Sequence, residues 1–302
     1  NYFNTWNNRK LLSDARGNFM AGDNNSEPSS KSEKYIENQG KNIYDSKSRL
    51  QGQRATDVLL EFANLRPGLN VLDLASGSGV PALDIARIVG SSGHVTATDQ
   101  SASALDLAKT EAESEGLTNL SFQTTSAQSL PFDDGVFDVV TCRMGMMYFP
   151  EPVAALKEVY RVLKRGGKFV SLVQGTEQRS LWQSSLQEPF RKYISVPVPG
   201  PTDIHPLRFA EPGSLLETFE KAGFEAIQEK YQDVPWPWHG TPEEFWELRK
   251  SGGALYPQLI EQVPADQRDQ LFKEIIVSIS RYYDGTIINF IAGIGTAVGY
   301  KP

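Results

Sequence analysis

The chain has 302 residues and carries 30 Lys and Arg against 37 Asp and Glu, a net charge of −7, which argues against broad binding to nucleic acid phosphates because that needs a basic face. The single cysteine, Cys142, excludes an intramolecular disulfide and a multi-cysteine zinc site, and the three histidines, His94, His205 and His239, form no ligand motif, so no metal is expected. No apolar run reaches the roughly 18 residues that span a bilayer. The first residues also lack the apolar core of a secretion signal, so the expectation is a cytoplasmic protein without membrane contact.

Residues 1–45 read as an N-terminal arm, because they are rich in Asn, Ser, Lys and Glu and the stretch Gly22 to Lys34 contains no large hydrophobic residue. The arm either stays mobile or orders over a bound ligand. Its aromatic residues Tyr2, Phe3 and Trp6 suit packing on a neighbouring subunit, which leaves a homo-oligomer open.

From Ser46 to Asn64 apolar residues recur at helical spacing, and Pro67-Gly68 closes the segment. Val71 to Leu74 is a short apolar strand, and Val80 to Val89 is a helix with Pro81 in its first turn. A strand His94 to Thr98 follows, then a helix Ser101 to Glu115 capped by Ser101 and stopped by Gly116, then strands Leu120 to Thr124 and Val136 to Cys142. The next helix, Glu151 to Lys164, ends at Gly166-Gly167 and runs into a strand Lys168 to Val173. Strands alternating with helices at this spacing predict a doubly wound parallel sheet with helices on both faces.

Past Gln174 the rhythm loosens into an aromatic, Pro-rich insertion over 175–210, where Val196 to Thr202 holds three prolines that no central strand would tolerate. A helix Ser214 to Ala222 and a strand Ala226 to Val234 restore the pattern. Residues 235–283 then insert helical material (Glu243 to Arg249, Gln258 to Gln262, Asp266 to Tyr282) before an apolar final strand, Ile287 to Tyr300. The expected division is therefore the arm, an α/β core over 46–234, a helical lid over 235–283 and a last core strand within 284–302.

The chemistry concentrates in Val71-Leu-Asp-Leu-Ala-Ser-Gly-Ser-Gly79, a strand that runs into a glycine turn and then a helix. Gly77 and Gly79 allow close backbone approach to a ligand, and the helix start offers unpaired N–H groups. Taken alone, Gly77-Ser-Gly-Val-Pro-Ala82 also satisfies the dinucleotide pattern, which keeps a nicotinamide-dependent oxidoreductase as an alternative. Asp73 inside the strand tips the balance, since it suits a cationic amine and would repel a pyrophosphate. Asp99 ends the next strand 20 residues beyond Gly79, where a carboxylate can accept both hydroxyls of a ribose.

Together with Thr98-Asp-Gln-Ser101, Leu130-Pro-Phe-Asp-Asp-Gly-Val-Phe-Asp138 and Leu163-Lys-Arg-Gly-Gly167, this segment resembles the class I S-adenosylmethionine (SAM) methyltransferases, notably the branch that contains the menaquinone and ubiquinone C-methyltransferases and many natural-product enzymes. The likeness covers about Val71 to Val173. It implies a seven-stranded Rossmann-like sheet, mostly parallel with an antiparallel last strand, and SAM as cofactor.

It further implies that the cofactor meets Asp73, the loop residues Ala75, Ser76, Gly77 and Gly79, Asp99 at the ribose, Gln100, Ser126, Ala127 and Gln128 at the adenine, and Arg143 and Met144 after the fourth strand. Tyr44 is expected to close over it. Ala75 stands where the family usually has Gly, and Ser126 where it usually has Asp. Met146-Met147-Tyr148 replaces histidines common in relatives. Arg143 equally suits a surface ion pair, and Met144 core packing.

The implied activity is methyl transfer to a small, hydrophobic or aromatic metabolite, at carbon or oxygen, in natural-product or quinone-type biosynthesis. A SAM-fold cyclase or binding protein without methyl transfer is a further alternative. Met147, Trp182, Trp236 and Trp238 are candidates for the acceptor pocket, although such aromatics equally suit lid packing. Where a proton must leave, His239 is the first candidate base, followed by His205 and Tyr148.

Overall fold

A computed structural model describes residues 50–196, 200, 203–251 and 255–302. Seven strands form one sheet in the order β3-β2-β1-β4-β5-β9-β6. β1 (Asn70–Leu74), β2 (His94–Asp99), β3 (Leu120–Thr124), β4 (Phe137–Arg143) and β5 (Leu163–Gln174) are parallel, and β9 (Ile291–Tyr300) runs antiparallel to both β5 and β6 (Glu225–Pro235). The order reverses on either side of β1, so β1 and β4 diverge to opposite halves and leave a crevice at their carboxyl ends, where ligands of open α/β sheets bind. A separate two-stranded ribbon joins β7 (Trp238–His239) to β8 (Ile287–Ile288).

Both faces of the sheet are covered. Alternate β5 side chains go to opposite sides: Val170 and Leu172 to a cluster with α1 (Gln53–Ala63), Phe169 and Val173 to a cluster with α4 (Pro152–Val162) and α6 (Ser214–Ala222). α2 (Ala82–Val89) packs on Val71, Val95 and Val139, and α3 (Ala102–Ser114) lies against β2 and β3. The first cluster extends outward through α5 (Leu181–Phe190), α7 (Pro242–Ser251), α8 (Leu255–Gln262) and α9 (Arg268–Ser280), which bury Trp182, Phe190, Phe245, Trp246 and Tyr256. No described helix is long and apolar enough to cross a membrane.

Three elements differ from expectation. The helix expected to end at Lys164 stops at Val162, because Leu163 already pairs with Phe137; the register then shifts, so that Val139 pairs with Lys168 while Gly166 takes φ +75°. The final apolar run splits at Asn289-Phe290. There Asn289 donates its backbone N–H to Tyr282 and its side-chain amide to Asp284, which sends Ile287–Ile288 to the ribbon and Ile291 onward to the main sheet. Within the 175–210 insertion lies α5, despite Pro189 near its end.

The Leu130–Asp134 loop is clamped onto α4. Arg161 donates to the carbonyls of Leu130 and Phe132 at 2.9 and 2.7 Å, and Glu158 accepts the Leu130 N–H at 2.9 Å. This fixes the loop that leads from β3 to β4 on the rim of the crevice.

Phe169 is fully buried and stacks on Phe219 at 5.0 Å; its cross-strand partner is Gly299, where any side chain would strike Phe219 and Phe224. Truncating Phe169 to Ala is expected to lower stability by about 3–5 kcal/mol, as for other buried Phe to Ala changes. Urea unfolding monitored by circular dichroism checks this, and a loss below about 1 kcal/mol would mean that the stack is dispensable.

Candidate functional site

The crevice is built by the turn that leaves β1. Ala75 and Gly77 take left-handed backbone angles, φ +51° and +52°, and Gly79 takes φ +95°. Those angles fold the chain back on itself, with the Ser76 N–H donating to the Thr98 carbonyl at 3.0 Å and the Gly79 N–H to that of Ser76 at 2.9 Å. At Gly79 a Cβ would collide with Leu83 of α2, so glycine is needed for the helix to pack. At Gly77 a Cβ would meet nothing within 4 Å, because that edge of the turn faces the open crevice.

Beneath the turn, Asp73 is fully buried. Ser76 and Thr141 each donate a hydroxyl to one of its oxygens at 2.6 Å, tying β1, the turn and β4 together. Burial outweighs these bonds and pushes the Asp73 carboxyl up to about 7. Asp99, at the end of β2, accepts the Gly77 N–H and the Ser101 N–H, both at 2.9 Å, while its burial raises its proton affinity. A carboxylate has about four acceptor sites. Capacity remains for a ligand, and Asp99 lines the crevice.

Across the crevice, β4 ends in Arg143, and Met144 follows it at φ +56°. Arg143 donates to the Gly52 carbonyl at 3.1 Å, its Nε is buried without an acceptor, and burial lowers its guanidinium to about 10. Gly145 approaches Ala75 so closely that a Cβ there would lie 2.5 Å from the Ala75 Cβ. A short turn, Met146–Tyr148, then brings Tyr148 and Phe149 to the crevice wall.

Of the residues expected at the cofactor, Ala75, Ser76, Gly77, Asp99, Gln100, Ala127, Arg143 and Met144 line this one crevice. Asp73 and Gly79 support its floor. Ser126 and Gln128 sit just behind it: the Ser126 hydroxyl accepts the Gln128 N–H at 3.2 Å and a side-chain N–H of Gln100 at 3.4 Å. Tyr44 lies outside the described residues.

Of the candidate bases only Tyr148 lines the crevice. His239 is exposed on the β7 ribbon, and His205 is half-buried elsewhere, its Nδ1 accepting the Leu207 N–H at 3.1 Å and its proton affinity lowered by burial. Met147 is buried in the core beside α4, and Trp182, Trp236 and Trp238 lie in the outer cluster of α1, α5 and α7. The structure adds Ser78, Thr98, Ser101, Thr125, Gly145 and Phe149 to the crevice. Ser78 could have been read from the turn motif, where it fills a variable position. Its hydroxyl is buried at the wall with no partner, which fits a ligand that supplies a polar group at the turn.

With this geometry in place, the chain was compared with known proteins. The model of the ubiE/COQ5 methyltransferase family matches residues 49–201. The demethylmenaquinone methyltransferase of Lactococcus lactis subsp. lactis (strain IL1403) is 33% identical over 172 residues, which cover 53% of this chain and 68% of that protein. The ubiquinone/menaquinone biosynthesis C-methyltransferase UbiE of Shewanella frigidimarina (strain NCIMB 400) is 37% identical over 123 residues, 40% of this chain and 49% of its own. Among solved structures, the YcgJ protein of Bacillus subtilis shares the fold with a TM-score of 0.54 at 22% identity, covering 82% of this chain and 98% of that one.

The folded chain holds the Asp73 proton more tightly than the unfolded chain, whose carboxyl titrates near 3.9. Stability should therefore fall as pH rises from about 4 to about 7. Replacing Asp73 with Asn removes that dependence, so between pH 5 and 7.5 the stability of the variant relative to the parent should rise by about 2 kcal/mol. Urea unfolding at the two pH values checks this; a pH-independent difference would place the Asp73 carboxyl near its ordinary value. At Ala75 a non-glycine residue in the left-handed region costs roughly 1 kcal/mol. Ala75→Gly is expected to raise the melting temperature by about 2–4 °C in calorimetry.

Proposed function

The chain belongs to the ubiE/COQ5 methyltransferase family and is a SAM-dependent methyltransferase, and on that premise we propose that its acceptor is a small aromatic molecule of quinone type, methylated at carbon. The observation that carries the site assignment is the convergence of Asp99, the Gly77 edge and the unpartnered Ser78 hydroxyl on one crevice at the carboxyl ends of β1 and β2. The C-methyltransferase named among the relatives favours carbon over oxygen.

In this reading the amino acid part of SAM lies along Ala75 to Gly79, with Ser78 offering its hydroxyl. Asp99 takes the ribose hydroxyls on the acceptor capacity that its backbone hydrogen bonds leave free. Gln100, Thr125 and Ala127 border the adenine, and the buried Asp73 offers its charge to the amine through the floor of the turn. When bound, SAM supplies a methyl group on a positive sulfur.

The protein's own task is to hold the acceptor in line with that methyl and to keep water out. Arg143, Met144 and Tyr148 form the wall on which the acceptor would rest. In this reading Tyr148, on the same wall, accepts a hydrogen bond from an acceptor hydroxyl. We assign the helices α7 to α9, whose aromatic side chains pack in the outer cluster, to a roof over the acceptor.

Two measurements test this. Asp99→Ala should weaken SAM by about 10- to 100-fold in calorimetric titration, the range for lost hydrogen bonds to a charged group; unchanged affinity in a folded variant would remove Asp99 from the site. Incubation with methyl-labelled SAM and a panel of aromatic quinols, followed by mass spectrometry, should show one labelled methyl on carbon. A product of unchanged mass would point instead to a reaction without methyl transfer.

A further inference from the structure

Outside the cofactor crevice, one half-buried cation is left without a counter-charge among the described residues. Arg249 of α7 lies 5.0 Å from the ring centroid of Trp182 and 5.1 Å from that of Phe245. Its Nη2 donates to the side-chain carbonyl of Gln51 at 2.8 Å, its Nε is buried without an acceptor, and no described carboxylate pairs with it. The ring faces replace only part of the hydration a guanidinium loses. An N–H donor shut off from water with no acceptor is unfavourable unless a partner arrives to satisfy it. Tyr256, the one ionisable group that Arg249 feels, is held neutral by burial.

The groups around Arg249 share the same imbalance. The side-chain amide nitrogen of Gln51, the indole N–H groups of Trp236 and Trp246, and the Nε of Arg143 are all buried donors with no acceptor, whereas Gln183 offers the one orphaned carbonyl oxygen among the described residues. Donors therefore outnumber acceptors along this wall, and the deficit suits a ligand that only accepts. The wall is tied to the cofactor crevice through the backbone before α1. Arg249 bonds Gln51 and Arg143 bonds its neighbour Gly52, so the two guanidinium groups grip adjacent residues just before α1.

We infer that Arg249, with Gln51 and the rings of Trp182 and Phe245, anchors a carboxylate carried by the aromatic methyl acceptor. This rests on the reading of the crevice as the methyl-transfer site and adds to it a specific substrate class, an aromatic acid. A carboxylate is ionised at neutral pH and presents two oxygens in a plane that matches the guanidinium edge. A plain quinol hydroxyl, which titrates near 10 like a phenol, would leave the charge unbalanced.

The test is calorimetric titration of the full chain, in the presence of S-adenosylhomocysteine, with 3-hydroxy-2-naphthoate and with its uncharged amide. The parent protein should bind the acid at least ten-fold more tightly than the amide. In Arg249→Met that ratio should fall below two-fold, and in Arg249→Lys, which keeps the charge, it should stay above three-fold. S-adenosylhomocysteine binding reports in the same experiment that each variant is folded. Should Arg249→Met fail to fold, the acid-to-amide ratios of the parent and of Arg249→Lys decide the matter. Equal affinity of the parent for acid and amide, binding of neither, or an intact preference in Arg249→Met overturns the anchor. Failure of S-adenosylhomocysteine to bind the parent would instead overturn the methyl-transfer reading on which the anchor rests.

Discussion

The structure depends on one hydrogen bond between neighbouring strand ends, the Gly77 N–H to the Asp99 carboxylate at 2.9 Å. It joins the turn after β1 to the end of β2 and leaves the carboxylate with acceptor capacity that faces the crevice. Only glycine takes the Gly77 backbone angle at little cost, and only an acceptor at position 99 can receive the N–H there. The same two residues thus set both the shape of the turn and the polarity of the wall beside it.

Underneath, the buried triad of Asp73, Ser76 and Thr141 keeps the turn from collapsing onto the sheet. A buried carboxylate satisfied by two hydroxyls is rigid but poorly neutralised, which is why Asp73 holds its proton to about 7. A cationic amine above the turn would reverse that effect. The strained angles at Ala75 and Met144 lie on opposite walls of the same crevice, where unusual backbone conformations commonly gather.

Much of the core was legible in the sequence because its signals are local. The turn from Asp73 to Gly79 and Asp99 at the end of β2 belong to short motifs whose geometry follows from local constraints, and the Leu130–Asp134 loop is recognisable as a motif although side chains of α4 pin it. The helix end at Val162 was not legible, since Lys164-Arg165 prolongs a helical pattern and only the cross-strand partner Phe137 decides otherwise. His239 draws attention through its tryptophan neighbours, yet side chains alternate along the two-residue strand, which turns it to solvent while Trp238 faces inward. Arg249 escaped notice for the opposite reason. An arginine in an amphipathic helix reads as a solvated residue; Phe245 lies four residues before it on the same helix, but the second ring, Trp182, comes from α5 and only the tertiary fold brings it there.

The most direct test of the site is a crystal structure with S-adenosylhomocysteine. The ribose hydroxyls are expected within hydrogen-bond distance of Asp99 and the amino acid part over the Gly77 edge, with Ser78 engaged. Well-ordered density for the ligand anywhere else, with Asp99 bonded to Gly77 and Ser101 alone, would contradict the assignment.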